Sequence, residues 1–319
     1  MFRRLVLVSG VLAIGLTGAS AQTWPTKPVR VIVPWTAGSA VDSVARAVTD
    51  TLSKQIGQPV IVENRGGAGG TIGVGAVAKA DTDGHTLLVH STTHAVTATT
   101  YSNPGYDARR DLAAVTALVS VPNVLVVAPG KYKSLKELIA AAKAKPGALN
   151  YATGGAGSGS HLNAERLLMA ARIKVQHIPF RGGPEALAEV MAGRAAFYFV
   201  PLTPARGLIA GKKVEALAVS SAKRASALPN VPTTIEAGFP NSEYNFWIGM
   251  FAPGKTPPAI VARLNTETVK ALANPTVKAR LAKLGADPMP MTPKEFDAFV
   301  KKEIEINAAL VKAAGIKIN

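Results

Sequence analysis

The sequence contains no cysteine. No disulfide can staple the fold, and no thiolate is available as a nucleophile or zinc ligand. Past the N-terminus no apolar run approaches the roughly 20 residues that a membrane-spanning helix needs. Aromatic residues make up only 6% of the chain, and none are interleaved with a compact basic run. A nucleic-acid surface therefore has no footprint. The phosphate loop G-x-x-x-x-G-K-S/T is missing, which leaves nucleotide hydrolysis without a cradle. The run Gly73-Val74-Gly75-Ala76-Val77-Ala78 matches G-x-G-x-x-A, but its place inside a helical stretch argues against dinucleotide binding.

What is present begins at the N-terminus. Arg3 and Arg4 precede an apolar run over 5–16, and Ala19-Ser20-Ala21 has the A-x-A pattern of a cleavage site. That is the layout of a secretory signal peptide. It predicts a periplasmic chain beginning at Gln22, with residues 1–21 removed. The remaining chain, just under 300 residues, is long enough for two lobes. Losing Arg3 and Arg4 lowers the formal charge from +16 to about +14. The lysines are scattered among glutamates over 133–145 and 294–317, so the surplus reads as a solvated basic surface. Such a surface draws small anions toward a cleft.

Short β-rich runs alternate with helical stretches, as in an α/β fold with mainly parallel sheets. Strands are expected at 29–34, 60–63 and 86–90, with helices at 39–56 and 71–80. A second series has strands at 123–128, 149–153, 175–179, 196–200 and 215–220, separated by helices at 135–144, 161–171 and 184–192. After a strand at 246–253 the chain reads as helix only, at 258–273, 276–284 and 293–314. The expected organisation is one lobe from 22–122 with 248–319 and a second from 123–247. The runs 123–128 and 247–252 are expected to cross between them.

The helix starts carry the chemistry. Trp35-Thr36-Ala37-Gly38-Ser39 leaves a strand and enters a helix, and Ser39 with Asp42 has capping-box spacing. Asp42 is read as a helix-cap residue that reaches back to the Ser39 amide, and Arg46 as structural. Small residues ahead of the cap leave backbone N–H groups open to an anion at the positive end of the helix. Similar glycine-rich starts recur at Gly66-Gly67-Ala68-Gly69-Gly70, at Thr153-Gly154 through Ser158, Ser160 and His161, and at Arg181-Gly182-Gly183-Pro184. Together they describe a polar, largely uncharged cleft suited to carboxylates. Ser91-Thr92-Thr93-His94 is expected as a loop facing that cleft, with His90 a satisfied strand-end residue. Ser158 or Ser160 with His161 suggests acyl transfer, yet no G-x-S-x-G elbow or acidic partner accompanies them. His90 and His94 lack a nearby carboxylate, so no metal is expected.

Eight segments resemble the periplasmic receptors of tripartite tricarboxylate transporters, the Bug-type solute-binding proteins. They include PWTAGSAVDSVAR (34–46), VENRGGAGGTIG (62–73), TDGHTLL (82–88) and PGYDARRDLAAV (104–115). GALNYATGGAGSGSHLNAE (147–165), HIPFRGGPEALAEVMAGR (177–194), VEALAVSSAKRASALPNVPTTIEAG (214–238) and FWIGMFAPGKTP (246–257) complete the set. The resemblance implies a two-lobed periplasmic-binding-protein fold of type II character that closes on one small organic acid. It implies no cofactor, no catalysis, a monomer, and delivery to integral membrane permease subunits; a sensor protein is the alternative partner. It places the carboxylate among Trp35–Ser39 and the 66–70 turn, with second-lobe contacts from Thr153–His161, Arg181, Gly182, Val200 and Pro201. The family commonly has Asp where this chain has Ala196, and often a polar or acidic residue where it has Val200. The loss of an acid at Val200 argues against an amino-acid ligand. It favours an unsubstituted or aromatic carboxylate, with Trp35 and Tyr198 as ring contacts.

Overall fold

Val29, Val31 and Val33 are buried on one face of a sheet and Ile32 on the other, which makes this first strand, β1, an interior one. The computed structural model describes residues 24–101 and 103–316; the signal segment expected at 1–21 lies outside them. After β1 come α1 (Ala40–Ile56), β2 (Val60–Asn64), α2 (Thr71–Ala78), β3 (Thr86–Ser91), α3 (Thr93–Thr100) and β4 (Leu112–Val121). The chain continues through β5 (Asn123–Val127), α4 (Leu135–Ala144), β6 (Asn150–Thr153), α5 (Gly159–Ala171), β7 (Gln176–Pro179), α6 (Gly183–Met191), β8 (Phe197–Pro201), α7 (Leu202–Ala210) and β9 (Glu215–Val219). It ends with β10 (Phe246–Pro253), α8 (Pro258–Ala273), α9 (Pro275–Lys283), β11 (Asp287–Pro288) and α10 (Pro293–Ala314).

Two sheets result, ordered β11-β4-β10-β3-β1-β2 and β7-β6-β8-β5-β9. Each is mixed rather than mainly parallel. β1 pairs parallel with β2 and β3, and β6 with β7 and β8. The strands next to the crossings, β10 and β5, pair antiparallel with their neighbours. The reason is chain direction: β10 and β5 each follow an arrival from the opposite lobe rather than a right-handed βαβ return. The runs expected to cross between lobes instead lie within single sheets. The first crossing falls at Pro122, between β4 and β5, and the second in the segment between β9 and β10. β10 begins at Phe246, opposite Val121, two residues before the boundary expected from sequence.

Four elements escaped the sequence reading: β4, α3, α7 and the two-residue β11. β4 is the longest strand at ten residues, yet its three alanines dilute the strand preference of its valines and threonine. α3 occupies what was expected as a cleft-facing loop, and its Thr-rich sequence has low helix propensity. Tertiary burial supplies what propensity lacks: Thr93, His94, Ala95, Val96 and Thr97 are all buried. One apolar cluster runs through both lobes, joining Val33, Val44 and Ile248 to Val124, Val200 and Leu202. Below it, Phe197 and Phe199 belong to a second-lobe cluster, while Trp247, Phe251 and Phe296 belong to a first-lobe one.

Candidate functional site

The β1–α1 loop is held by one carboxylate. Asp42 Oδ2 accepts the Gly38 amide at 3.0 Å, and its Oδ1 accepts Arg46 Nε at 3.0 Å and Asn64 Nδ2 at 2.9 Å. Asn64 Nδ2 also donates to the Trp35 carbonyl at 3.0 Å, which ties the loop to the end of β2. Ser39 caps α1 by accepting the Asp42 amide at 3.3 Å. Asp42 does not reach back to the Ser39 amide as the capping-box spacing suggested, because that amide already donates to the Thr36 carbonyl at 3.2 Å.

Two more helices begin against the same space. Ser158 Oγ accepts the His161 amide at 3.3 Å and so caps α5. α6 starts at Gly183, with Pro184 in its first turn, where a missing N–H is harmless. Between the sheets lies a cavity of about 50 Å³, room for a few water molecules. Trp35, Ser39, Ala40, Val41, Ser91 and Thr93 line it from the first lobe, and Phe246 at the crossing. Gly154, Ser158, Gly159, Ser160, Gly183, Tyr198, Pro201 and Pro204 line it from the second. None of these side chains carries a formal charge.

The first amides of a helix have no acceptor one turn back. Some are met locally: Gly159 donates to Thr93 Oγ1 across the lobes at 3.0 Å. Among the described residues, the amides of Ala40, Val41, Ser160 and Gly183 have no hydrogen-bond partner. Three helix N-termini, each carrying roughly half a positive charge, thus surround one cavity. Hydroxyls of Ser39, Ser91, Thr93, Ser158, Ser160 and Tyr198 share it. Burial raises the Tyr198 hydroxyl above its ordinary value, with Ser160 opposing part of the rise, so it is a neutral donor at physiological pH. This set of donors is chemically able to solvate an anion without a counter-charge.

Several expected residues stand elsewhere. Ala37 and Gly38 are exposed, and the Gly38 amide is taken by Asp42. Gly67 and Ala68 are exposed, while Gly69 sits at the rim against Tyr101 and the Ala156 carbonyl of the second lobe. Thr92 Oγ1 accepts the Trp247 amide at 2.9 Å and anchors β10 instead of facing the cavity. His94 points into the first-lobe core, its ring 4.7 Å from Phe251, and neither ring nitrogen has a partner. The Thr153 hydroxyl is taken by His177 Nε2 at 2.7 Å and by its own turn. Arg181 is exposed and its amide donates to Glu185 Oε2 at 3.1 Å. Val200 is fully buried opposite Val124 in β5. Thr36 and Gly182 meet each other at the lobe contact. Of the expected residues, Trp35, Ser39, Ser91, Thr93, Gly154, Ser158, Ser160 and Pro201 come together.

Sequence reasoning missed Ala40 and Val41, which occupy the first and second positions of α1; Gly183, at the first position of α6, lay within an expected turn. Cap spacing carries that information, since the open amides follow the cap rather than precede it.

His161 is not placed as a base for either serine. Its Nδ1 accepts the Gly157 amide at 3.1 Å, and Ser158 and Ser160 hydrogen-bond each other at 2.9 Å. His161 stacks on His177 at 3.8 Å, and burial first, then the His177 charge, push its pKa down to about 3. His90 is fully buried, but is satisfied on one side alone: Nδ1 accepts from Trp35 while Nε2 has no partner.

The family description "Tripartite tricarboxylate transporter family receptor" matches residues 44–316. A Pseudomonas sp. (strain P51) protein described as "UPF0065 protein in tcbD-tcbE intergenic region" is 39% identical over 308 residues, 95% of this chain and 92% of the relative. Two solved structures are each 32% identical. "R. palustris Rpa4515 with adipate" has a TM-score of 0.89 and covers 92% of this chain and 99% of its own. MatC from Rhodopseudomonas palustris with bound malate has a TM-score of 0.86 and covers 90% of this chain and 100% of its own. These likenesses run across both lobes and the helix starts between them, and the chain belongs to the tripartite tricarboxylate transporter receptor family.

Proposed function

We propose that this protein is a periplasmic receptor that captures one small organic carboxylate between its lobes and hands it, unchanged, to the integral membrane subunits of a tripartite permease. The observation that carries the reading is the convergence of the α1, α5 and α6 N-termini on a cavity free of charged side chains. The relatives solved with adipate and with malate support a carboxylate as the ligand class. The amides of Ala40 and Val41 hold one carboxylate oxygen pair. Ser160, Gly183 and the hydroxyls of Ser91, Thr93 and Ser158 complete the shell. Residues 24–121 with 246–316 form one moving body, and 123–219 the other. His161 is turned toward Gly157 and serves neither Ser158 nor Ser160 as a base, which supports binding without conversion.

Hydrogen bonds to a charged group contribute roughly 1.5–3 kcal/mol each. Two or three of them sustain micromolar affinity after the ordering losses of association. Calorimetry with malate, adipate and aspartate tests this. At least one of the two plain acids should bind in the micromolar range and be recovered intact by mass spectrometry. Aspartate should bind at least tenfold more weakly than malate, because no acidic side chain lines the cavity to receive its ammonium group. Tighter binding of aspartate, or conversion of the acid, would refute the reading.

Export follows from the N-terminal segment, with cleavage after Ala21. The periplasmic form should begin at Gln22 on N-terminal sequencing; a mature chain that keeps Arg3 and Arg4 would contradict it.

A further inference from the structure

Trp35 is held through both its backbone and its ring. Its backbone carbonyl accepts Asn64 Nδ2. Its indole Nε1 donates to His90 Nδ1 at 3.3 Å, with the rings 5.8 Å apart and tilted by 47°. Trp35 lines the cavity; His90 does not, and it is fully buried in β3 opposite Gly249 of β10. Its other edge abuts the 66–70 turn, where a Cβ added at Gly70 would lie 3.3 Å from the His90 Cε1.

The chemistry of this contact fixes a tautomer. An indole N–H only donates, so Nδ1 must offer its lone pair and the imidazole proton sits on Nε2. A doubly protonated ring would set N–H against N–H. Burial, reinforced by the nearby His94, keeps His90 neutral.

We propose that His90 is a positioning residue of the binding site: through Nδ1 it locks the Trp35 indole as a fixed apolar wall against which the ligand's carbon skeleton rests. This rests on the receptor reading above. A side chain already immobilised before binding loses no rotamer freedom when the ligand arrives. Releasing one such side chain weakens binding by about threefold to tenfold.

The test uses the full mature chain labelled with nitrogen-15. The indole resonance of Trp35 is assigned by its loss in Trp35→Phe. In the wild type its N–H should exchange slowly with solvent. His90→Leu should abolish that protection, and His90→Asn, whose Oδ1 falls near the position of Nδ1, should retain it. By calorimetry, His90→Leu should weaken adipate threefold to tenfold and malate less, because adipate presents more methylene surface to the wall. His90→Asn should restore both to within twofold of wild type. Trp35→Phe combined with His90→Leu should bind no worse than the weaker single variant.

An indole that exchanges freely in the wild type overturns the proposal. So does a His90→Leu variant of unchanged affinity, or a His90→Asn variant as impaired as His90→Leu. Failure of both acids to bind the wild type would instead reject the receptor reading. The exchange measurement would then still decide whether His90 holds Trp35.

Discussion

Gly182→Val should weaken ligand binding about 10- to 100-fold while leaving the ligand-free protein as stable as before. Gly182 has φ −174°, extended backbone open to any residue, so the substitution creates no local strain. A Cβ there would lie 2.4 Å from Thr36 Oγ1 and 3.4 Å from its Cγ2, across the contact between the lobes. Thr36 can rotate away from a single methyl, so Gly182→Ala should be mild. Valine adds two further methyl groups aimed at the same threonine. Overpacking of this kind costs about 1–3 kcal/mol, and here the whole penalty falls on the arrangement in which the lobes touch. In the receptor proposed above, ligand binds that arrangement better than an open one, so the penalty should appear as lost affinity. Calorimetry with a bound acid and thermal melts without it check both halves. A large drop in the ligand-free melting temperature would show that the lobes are pressed together whether or not ligand is present.

The second large effect is acid destabilisation. Burial pushes His94 down to about 4 and His177 to about 4, and burial with the His177 charge pushes His161 to about 3. His90 lies well below its usual 6.5 for the same first reason. The folded values are depressed, so between pH 6.5 and 4 the unfolded chain takes up protons that the folded chain refuses. Stability is therefore fully present above about pH 6.5 and is lost as pH falls toward 4. Glu165 and Glu303, raised by burial, act in the opposite sense, losing stability as pH rises above 4.5. Hydrogen bonds from Tyr151 and Trp247 restrain those two rises, so the histidines prevail. For His94 alone the shift corresponds to on the order of 3 kcal/mol, a large share of a typical 5–15 kcal/mol. Urea midpoints measured from pH 7 down to 4.5 should fall steeply, and His94→Leu should flatten the slope. A constant midpoint over that range would contradict the account.

The strand–helix alternation was legible because each turn carries its own chemistry. Ser39 and Ser158 sit where caps belong, and Pro184 lies in a first helical turn. β4 was hidden because alanines dilute its strand pattern and α3 because its threonines are poor helix formers, and packing against β10 and α10 decides them. The site was half legible. Three of the four glycine-rich starts head helices that line the cavity, and the 66–70 turn does not; which amides remain open depends on side chains that compete for them. Asp42 removes Gly38 from the set, and Thr93 removes Gly159, through contacts that no spacing rule reveals. Arg181, read as a ligand for acids because it is a lone arginine beside a glycine turn, is exposed and lies outside the cavity lining.

The donors at Ala40, Val41, Ser160 and Gly183 are main-chain groups. Almost any codon change at these positions leaves the N–H in place; proline alone deletes it. On the binding mode proposed above, recognition of the charged group is thereby insulated from mutation, while Trp35, Tyr198, Pro201, Pro204 and Phe246 remain free to vary. Drift in such a lineage alters the shape of acid accepted long before it alters the fact that an acid is accepted. A gene copy can then acquire a new nutrient by a few wall substitutions, with its capture of carboxylates inherited intact.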